Sequence, residues 1–269
     1  MLEGVFYLGL GLIVGSFLNV LAVRFHDGRS LGGRSVCVSC GQTIYWYDLI
    51  PVLSWILLLG KCRSCGQDIS LLYPLTEVAC GAAFLLIGLA HMPFFSTVLA
   101  LPIAALLIVI ARYDLSHMLI PNVWVYLFAA LSLSAALYPM ESRDFVFNVL
   151  AGPVAAVPFL ALWFVSRGAW MGLGDAKLAL GMGWLLGLEG GVTAILSAFV
   201  LGAVVGLGLM FFSSSHLLHR TLGVHGDKKV TMKSEIPFGP FLIISCFIVW
   251  FAHMYGIQTL ELFLWWSFW

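Results

Sequence analysis

Two sets of residues in this chain have the types and spacing for chemistry. The first is a cysteine tetrad: Cys37-Val-Ser-Cys40, then 21 residues, then Cys62-Arg-Ser-Cys65. Each Cys-x-x-Cys can turn two thiolates toward one ion, and two such pairs complete a tetrahedral zinc site. With four protein ligands no position is left for water, so the site reads as structural. Two disulfides, or unrelated thiols, are the competing reading. The second set is a pair of carboxylates, Asp114 in Arg112-Tyr-Asp-Leu-Ser-His117 and Asp175 in Met171-Gly-Leu-Gly-Asp-Ala-Lys177. Two carboxylates a few ångströms apart cannot both ionise at neutral pH. The ionised member can take a proton from water while the protonated one polarises a carbonyl, which is aspartic-protease chemistry. Glycines before Asp175 let backbone or substrate come close. Each aspartate reads equally as a helix cap or a lone topology marker.

The elements that carry these residues are membrane helices. The chain has 269 residues, of which 61% are hydrophobic and 10% charged, with a mean hydropathy of +1.02. Soluble domains carry about 25% charged residues. The expected fold is therefore an all-α polytopic membrane protein with a small zinc-binding loop inserted on its cytosolic side. Apolar runs of near-bilayer length fall at residues 4–23, 74–91, 94–113, 119–139, 145–166, 176–190, 192–212 and 238–256, about eight spans in all. The sixth is short and glycine-rich, and the stretch 176–212 is the hardest to divide. The first run lacks a basic leader and a small-residue cleavage site, so it reads as a retained span. The expected organisation is a first helix (1–23), a cytosolic cysteine loop (24–73) and a membrane-embedded remainder (74–269). No internal repeat is expected.

Charge sets the expected orientation. With eight spans, all of the 13 Lys and Arg residues except Arg143 fall on one face. That face is cytoplasmic by the positive-inside rule. Both termini are then extracytoplasmic, and the cysteine loop meets a reducing cytosol that favours zinc over disulfides. Both aspartates fall at the cytoplasmic ends of their spans. Intramembrane carboxylates are functional candidates. The zero net charge offers nothing to nucleic acid.

The chain resembles the type IV prepilin peptidases, the leader peptidase/N-methyltransferases of pilus and type II secretion systems. The resemblance rests on Gly15-Ser-Phe-Leu-Asn-Val20, the tetrad, Trp46-Tyr-Asp-Leu-Ile-Pro-Val-Leu-Ser-Trp55, Gly60-Lys-Cys-Arg-Ser-Cys-Gly66 and Ile69-Ser-Leu-Leu-Tyr-Pro-Leu-Thr-Glu77. It continues through Ile120-Pro-Asn122, Gly172-Leu-Gly-Asp-Ala-Lys177 and Ile236-Pro-Phe-Gly-Pro-Phe241, in the family's order. It implies a bacterial inner-membrane enzyme of the Gly-x-Gly-Asp type, similar to presenilin-like proteases. Such an enzyme cuts prepilin or pseudopilin leaders after a glycine. Carried over residue by residue, Asp114 and Asp175 are the catalytic pair, and Cys37, Cys40, Cys62 and Cys65 bind zinc. The resemblance also implies methylation of the new N-terminus with S-adenosylmethionine. Val38 departs from the family's common proline, and Ala169-Trp170 from its Gly-Gly.

Methyl transfer has a thinner basis in the residues. Glu77, near the head of the second span, is the candidate: it could hold the sulfonium or the new ammonium, or simply pair with a neighbouring helix or with an exposed backbone end. Lys177 either tunes Asp175, meets a substrate acid, or snorkels to the surface. His117 reads as interfacial, His216 and His219 as surface residues, Cys80 and Cys246 as inert packing. Trp265, Trp266 and Trp269 read as an interfacial anchor. Gly11-x-x-x-Gly15 and Gly202-x-x-x-Gly206 are candidate close helix contacts. The alternatives to a bifunctional enzyme are a peptidase alone, a proton-coupled transporter using the same aspartates, and an assembly scaffold.

Overall fold

The computed structural model describes residues 2–30, 32–138, 145–212 and 237–257. His216, His219, Arg143, the basic segment 213–236 and the three C-terminal tryptophans lie outside them. Among the described residues all regular elements are helical, apart from two isolated β-bridges. In order they are α1 (Leu2–His26), a 3₁₀ turn (Trp46–Leu49), α2 (Leu53–Leu57), α3 (Leu72–Leu89), α4 (Phe94–His117), α5 (Asn122–Ala136), α6 (Phe145–Ser166), α7 (Leu173–Phe212) and α8 (Gly239–Met254). The helices α1, α3, α4, α6 and α7 are long and apolar enough to cross a membrane, and α5 and α8 are shorter apolar helices.

Helix α7 is two helices. Gly187 takes φ 72° and ψ −179° inside it, a conformation open to glycine and costly for other residues. Residues eight apart in a straight helix are separated by about 12 Å. Yet a Cβ built on Gly191 would stand 3.2 Å from the Cα of Gly183. The chain folds back at Gly187, so the two arms are 173–186 and 188–212; the division falls a few residues before the expected one near 191, and the count of apolar helices reaches the expected eight. The protein is a multi-pass membrane protein.

The described residues form two compact units, the first ending at Met92 and the second starting at Pro93. In the first, α1 packs along α3 at glycine-backbone distance. A Cβ on Gly11 would lie 2.5 Å from the Cys80 carbonyl, and one on Gly15 would lie 2.7 Å from the Cα of Glu77. The expected close contact at 11 and 15 is therefore real. At Gly202 the nearest atom would be a Phe238 ring carbon at 3.6 Å, and Gly206 meets nothing within 4 Å, so that pair makes no such contact among the described residues. Buried Asn19 joins the same seam, its Nδ2 donating to the carbonyls of Gly15 at 3.3 Å and Tyr73 at 3.0 Å.

Between α1 and α3 the chain makes two copies of one knuckle. Cys37 N–H donates to Gln42 O and Gly41 N–H to Cys37 O; Cys62 N–H donates to Gln67 O and Gly66 N–H to Cys62 O. Each is flanked by one β-bridge, Val36 with Thr43 and Lys61 with Asp68. The expectation of no internal repeat is corrected here. Cys-x-Ser-Cys-Gly-Gln occurs at 37–42 and again at 62–67, and the two copies fold alike because the same glycine takes the same left-handed turn, with φ 70° at both Gly41 and Gly66.

The second unit buries Leu107 and Ile110 of α4, Phe128 of α5, Phe159 of α6, Leu178 and Met182 of α7 and Leu242 of α8. Its tightest seam joins α6 to α7. A Cβ on Gly183 would sit 2.4 Å from Ala151 O. Pro153 lies within α6, and with no N–H it leaves the carbonyl four residues back, Val149 O, without its helical donor. The Trp184 indole supplies one, Nε1 to Val149 O at 2.9 Å. A spanning segment has no water to fill that role. Trp184→Phe is therefore expected to cost about 1–2 kcal/mol in reversible unfolding from mixed micelles. Adding Pro153→Ala, which returns an N–H to Val149 O, should recover most of the loss. If the double variant is no more stable than Trp184→Phe alone, the indole is not standing in for the missing amide.

Candidate functional site

Asp114 occupies the last turn of α4 and is buried. The helix stops just beyond it: Met118 takes a left-handed cap, with its N–H on Asp114 O at 2.8 Å. Asp175 lies in the first turn of α7. The two carboxyl groups are close enough to interact electrostatically. Each also faces a backbone amide, Gly239 N–H for Asp114 and Gly172 N–H for Asp175. Gly239 opens α8 and Gly172 immediately precedes α7. Two helix N-termini, with their unsatisfied amides and positive dipole ends, thus meet the carboxylates.

The cap reading of Asp175 is partly right. A carboxylate in the first turn that reaches back to the amide before the helix is half of a capping box. Capping and pairing with Asp114 coexist in one side chain.

Tight sterics surround the pair. A Cβ on Gly239 would stand 2.5 Å from Asp114 Oδ2, so only glycine brings the amide this near. Ile120 fills the space between the two helix starts. A Cβ on Gly174 would meet Ile120 Cβ at 2.9 Å, and one on Gly239 would meet its Cδ1 at 3.5 Å. Lys177 turns away from the carboxylates toward α5. Its Nζ donates to Asn122 Oδ1 at 2.7 Å and lies 5.1 Å from the centre of the Tyr126 ring. His117 packs against Tyr113 with the rings tilted, 4.4 Å between centres. Gly239, Ile120 and Asn122 were present in the sequence only as parts of motifs, with no role attached. The Ile-Pro-Asn and Phe-Gly-Pro signals mark helix starts, and a helix start is where free amides are found.

A second site lies wholly within the first unit. The four cysteine Sγ atoms all fall within 4.8 Å of one another, and none is in a disulfide. The Cys37 and Cys65 sulfurs are 4.0 Å apart, against about 3.8 Å for the edge of a tetrahedron with metal–sulfur bonds of about 2.3 Å. The Cys40 N–H, directed at Cys37, holds that thiol down to about 7. At Cys65 the Gln67 N–H pulls the same way, but desolvation and the neighbouring sulfurs outweigh it and leave about 11. Four crowded thiols resist sharing negative charge, and a cation among them removes that resistance. The tetrad can hold a metal ion.

Beside the tetrad is a cavity of about 660 Å³, lined by both knuckles, the end of α1 and the head of α3, with Ser16, Asp27, Tyr45, Trp55 and Glu77 among its walls. Its frame is rigid. Arg24 donates to the carbonyls of Ser30, Gly32, Gly33 and Arg34. Arg63 grips Asp48 with two nitrogens, at 2.9 and 2.7 Å. Glu77 is buried and accepts the Val52 N–H on Oε2 at 2.7 Å. Val52 has φ 62°, which a β-branched residue rarely tolerates. The Glu77 bond helps hold the strained turn, so the residue expected at the head of the second span does anchor the loop.

Two family models match the chain: the Bacterial Peptidase A24 N-terminal domain over residues 10–91 and the Type IV leader peptidase family over residues 99–207. The cysteines and Glu77 fall in the first match, and both aspartates in the second. The chain is similar to proteins called prepilin leader peptidase/N-methyltransferase from several bacteria. That of Myxococcus xanthus is 35% identical over 230 residues, covering 82% of this chain and 67% of the relative. That of Dickeya chrysanthemi is 30% identical over 271 residues, 88% of each chain. That of Bacillus subtilis is 27% identical over 256 residues, 94% of this chain and 95% of the relative. No solved structure matches. The transporter and scaffold readings gain no support from these relatives.

The tetrad yields a prediction of its own. Cobalt(II) added to the reduced, metal-free protein should bind one ion per chain and give the intense near-ultraviolet bands of thiolate ligation. Cys40→Ser should lose the bands and raise hydrogen exchange across both knuckles, because binding energy at such sites is largely folding energy. Unchanged exchange in that variant would mean that the knuckles fold without the ion.

Proposed function

The chain belongs to the type IV leader peptidase family, and from that premise we propose that it is a prepilin leader peptidase and N-methyltransferase of the bacterial inner membrane. The observation that carries the peptidase half is the pair Asp114 and Asp175, each under the amide of a helix start and within electrostatic reach of the other. The proposed substrates are prepilins or pseudopilins, cut after a glycine at the cytoplasmic face. Positive-inside charge distribution supports that orientation, with the zinc loop cytosolic and both termini outside.

In the proposed mechanism one aspartate is ionised and the other keeps its proton. The ionised carboxylate takes a proton from water as the oxygen attacks the scissile carbonyl. The protonated one hydrogen-bonds to the carbonyl oxygen and stabilises the developing charge. Collapse of the tetrahedral intermediate sends a proton to the leaving amine and restores the shared-proton state. The Gly239 and Gly172 amides orient the carboxylates, and Ile120 spaces the helix starts.

The methyl half is assigned to the first unit. The cavity beside Glu77 falls within the size range of small-molecule sites, and its mixed acidic and aromatic walls suit a cationic, adenine-bearing donor. S-adenosylmethionine would supply the methyl group there. The substrate amine must be neutral to accept it, and in this reading Glu77 holds the ammonium and helps remove its proton. Zinc is the ion the tetrad suits best in a reducing cytosol, with a structural role.

Asp114→Asn and Asp175→Asn should each abolish cleavage of a purified prepilin in proteoliposomes while leaving the protein folded. Gly239→Ala should do nearly the same with no change of charge, because its methyl group displaces the Asp114 carboxylate. Near-normal processing by either asparagine variant, read on gels, would overturn the assignment.

Placing the two reactions in different units predicts an asymmetry. Glu77→Gln should reduce methylation more than cleavage. Asp175→Asn should still methylate a pre-cleaved pilin. Mass spectrometry of the mature N-terminus with added S-adenosylmethionine reads both. Complete cleavage by wild-type protein with no added methyl mass would leave a peptidase alone.

A further inference from the structure

The strongly apolar segment between the two knuckles, Ile50 to Gly60, folds as an elbow around α2. Trp55 turns inward, but other apolar side chains point outward: Leu57 is 73% exposed and Leu59 83%, with Leu53 and Ile56 also exposed. A water-facing loop with this much open leucine would be an association hazard.

The depth of the elbow resolves the problem. Helix α3 has 18 residues, about 27 Å at 1.5 Å each, which is roughly one hydrocarbon core. Almost all of α3 is therefore needed to cross. Glu77 lies five residues into it, about 7–8 Å from its start, and accepts the Val52 amide at 2.7 Å. That bond draws the turn entering α2 alongside the span, below the level at which the span begins. A second tie has the same sense, as the Trp55 indole donates to Ile69 O at 3.2 Å just ahead of α3.

The elbow's backbone also meets the condition a lipid environment sets. Among its amides, those of Leu53, Ser54, Ile56, Leu58, Leu59 and Gly60 all donate to carbonyls of the elbow itself. An aqueous loop has no need of such closure, whereas a segment in contact with lipid does. Trp46 before the elbow and Lys61 after it are exposed, an aromatic and a cation of the kind that sit at the headgroup level.

We propose that residues 50–60 are a lipid-inserted elbow, with Leu53, Ile56, Leu57 and Leu59 in the acyl region and Lys61 at the headgroups. The tetrad loop is then held to the bilayer by three attachments: α1, α3 and this wedge between its knuckles. The wedge bears directly on Glu77, so it fixes one wall of the cavity at the membrane surface.

The test uses the full-length wild-type protein in nanodiscs of phosphatidylethanolamine and phosphatidylglycerol, doped with a phospholipid carrying a diazirine midway along one acyl chain. After photolysis, peptide mapping should find lipid adducts on residues 53–59, as on the outward-facing Leu75 and Val78 of α3. It should find none on residues 36–43, although Val38 is 81% exposed. Leu57→Asp with Leu59→Asp should lose the adducts on the elbow and keep those on α3. No adducts on 53–59 in the wild type would overturn the proposal, whether water, a second copy of the chain or another protein covers the leucines. The inference rests only on the chain's being a membrane protein, so its failure would leave the peptidase reading standing.

Discussion

The hydrocarbon core of a bilayer offers no bulk water to satisfy polar groups, so a carboxylate or a broken helix that reaches it must find partners in the chain. The carboxylates at the end of α4 and the start of α7 show the consequence most directly. They are served by the first free amides of α8 and by the amide just before α7. A helix start is the one place in a membrane protein where backbone N–H groups are available without breaking a hydrogen bond. Three chain segments must therefore end at one point, and what surrounds that point follows from the crowding. Glycine is required at 239 because a Cβ would reach Asp114 at 2.5 Å. Ile120 lies between the two helix starts, and Lys177 is drawn off to Asn122 and Tyr126, leaving the carboxylates to share their charge with each other.

The same constraint governs the scaffold. Pro153 breaks the α6 ladder, and Trp184 repairs it from the neighbouring helix. Asn19 is buried between α1 and α3 and spends its amide on two carbonyls. Where glycines line a seam, as at Gly11 and Gly15, the backbones come close enough for dispersion to do what the hydrophobic effect cannot do between helices in lipid. Gly202 and Gly206 carry the same pattern without the contact, since spacing says only that a close approach is possible.

What could be read in advance was what depends on local composition. The eight apolar segments, the cysteine tetrad and the placement of Asp114 and Asp175 at helix ends all rest on runs or spacings a few residues long. The reversal at Gly187 was visible only as doubt about dividing 176–212, because nothing local distinguishes a glycine that bends a helix from one that packs it. Gly239 meeting Asp114 joins residues far apart in the chain, and no periodicity reports such a meeting. The fate of Lys177 was hidden for the same reason: its partners lie on α5. The duplicated knuckle is a different case. Cys-x-Ser-Cys-Gly-Gln stands twice in the sequence, and the match extends past the metal-ligand spacing to the glycine turn that makes the two halves fold alike.

That duplication bears on how the loop holds its shape. Two equivalent knuckles can share one ion only if the segment joining them lets them face each other. Here the joining segment is the most apolar part of the loop, and it is braced twice, by Val52 on Glu77 and by Trp55 on Ile69. The cysteine tetrad and the membrane helix therefore constrain the loop from opposite sides: the four sulfurs bring the knuckles together, and α3 holds the elbow between them. Glu77 sits where the two constraints meet, with one oxygen committed to a strained valine and its carboxyl group on the cavity wall. A carboxylate held by the backbone in this way has its position set before any ligand arrives.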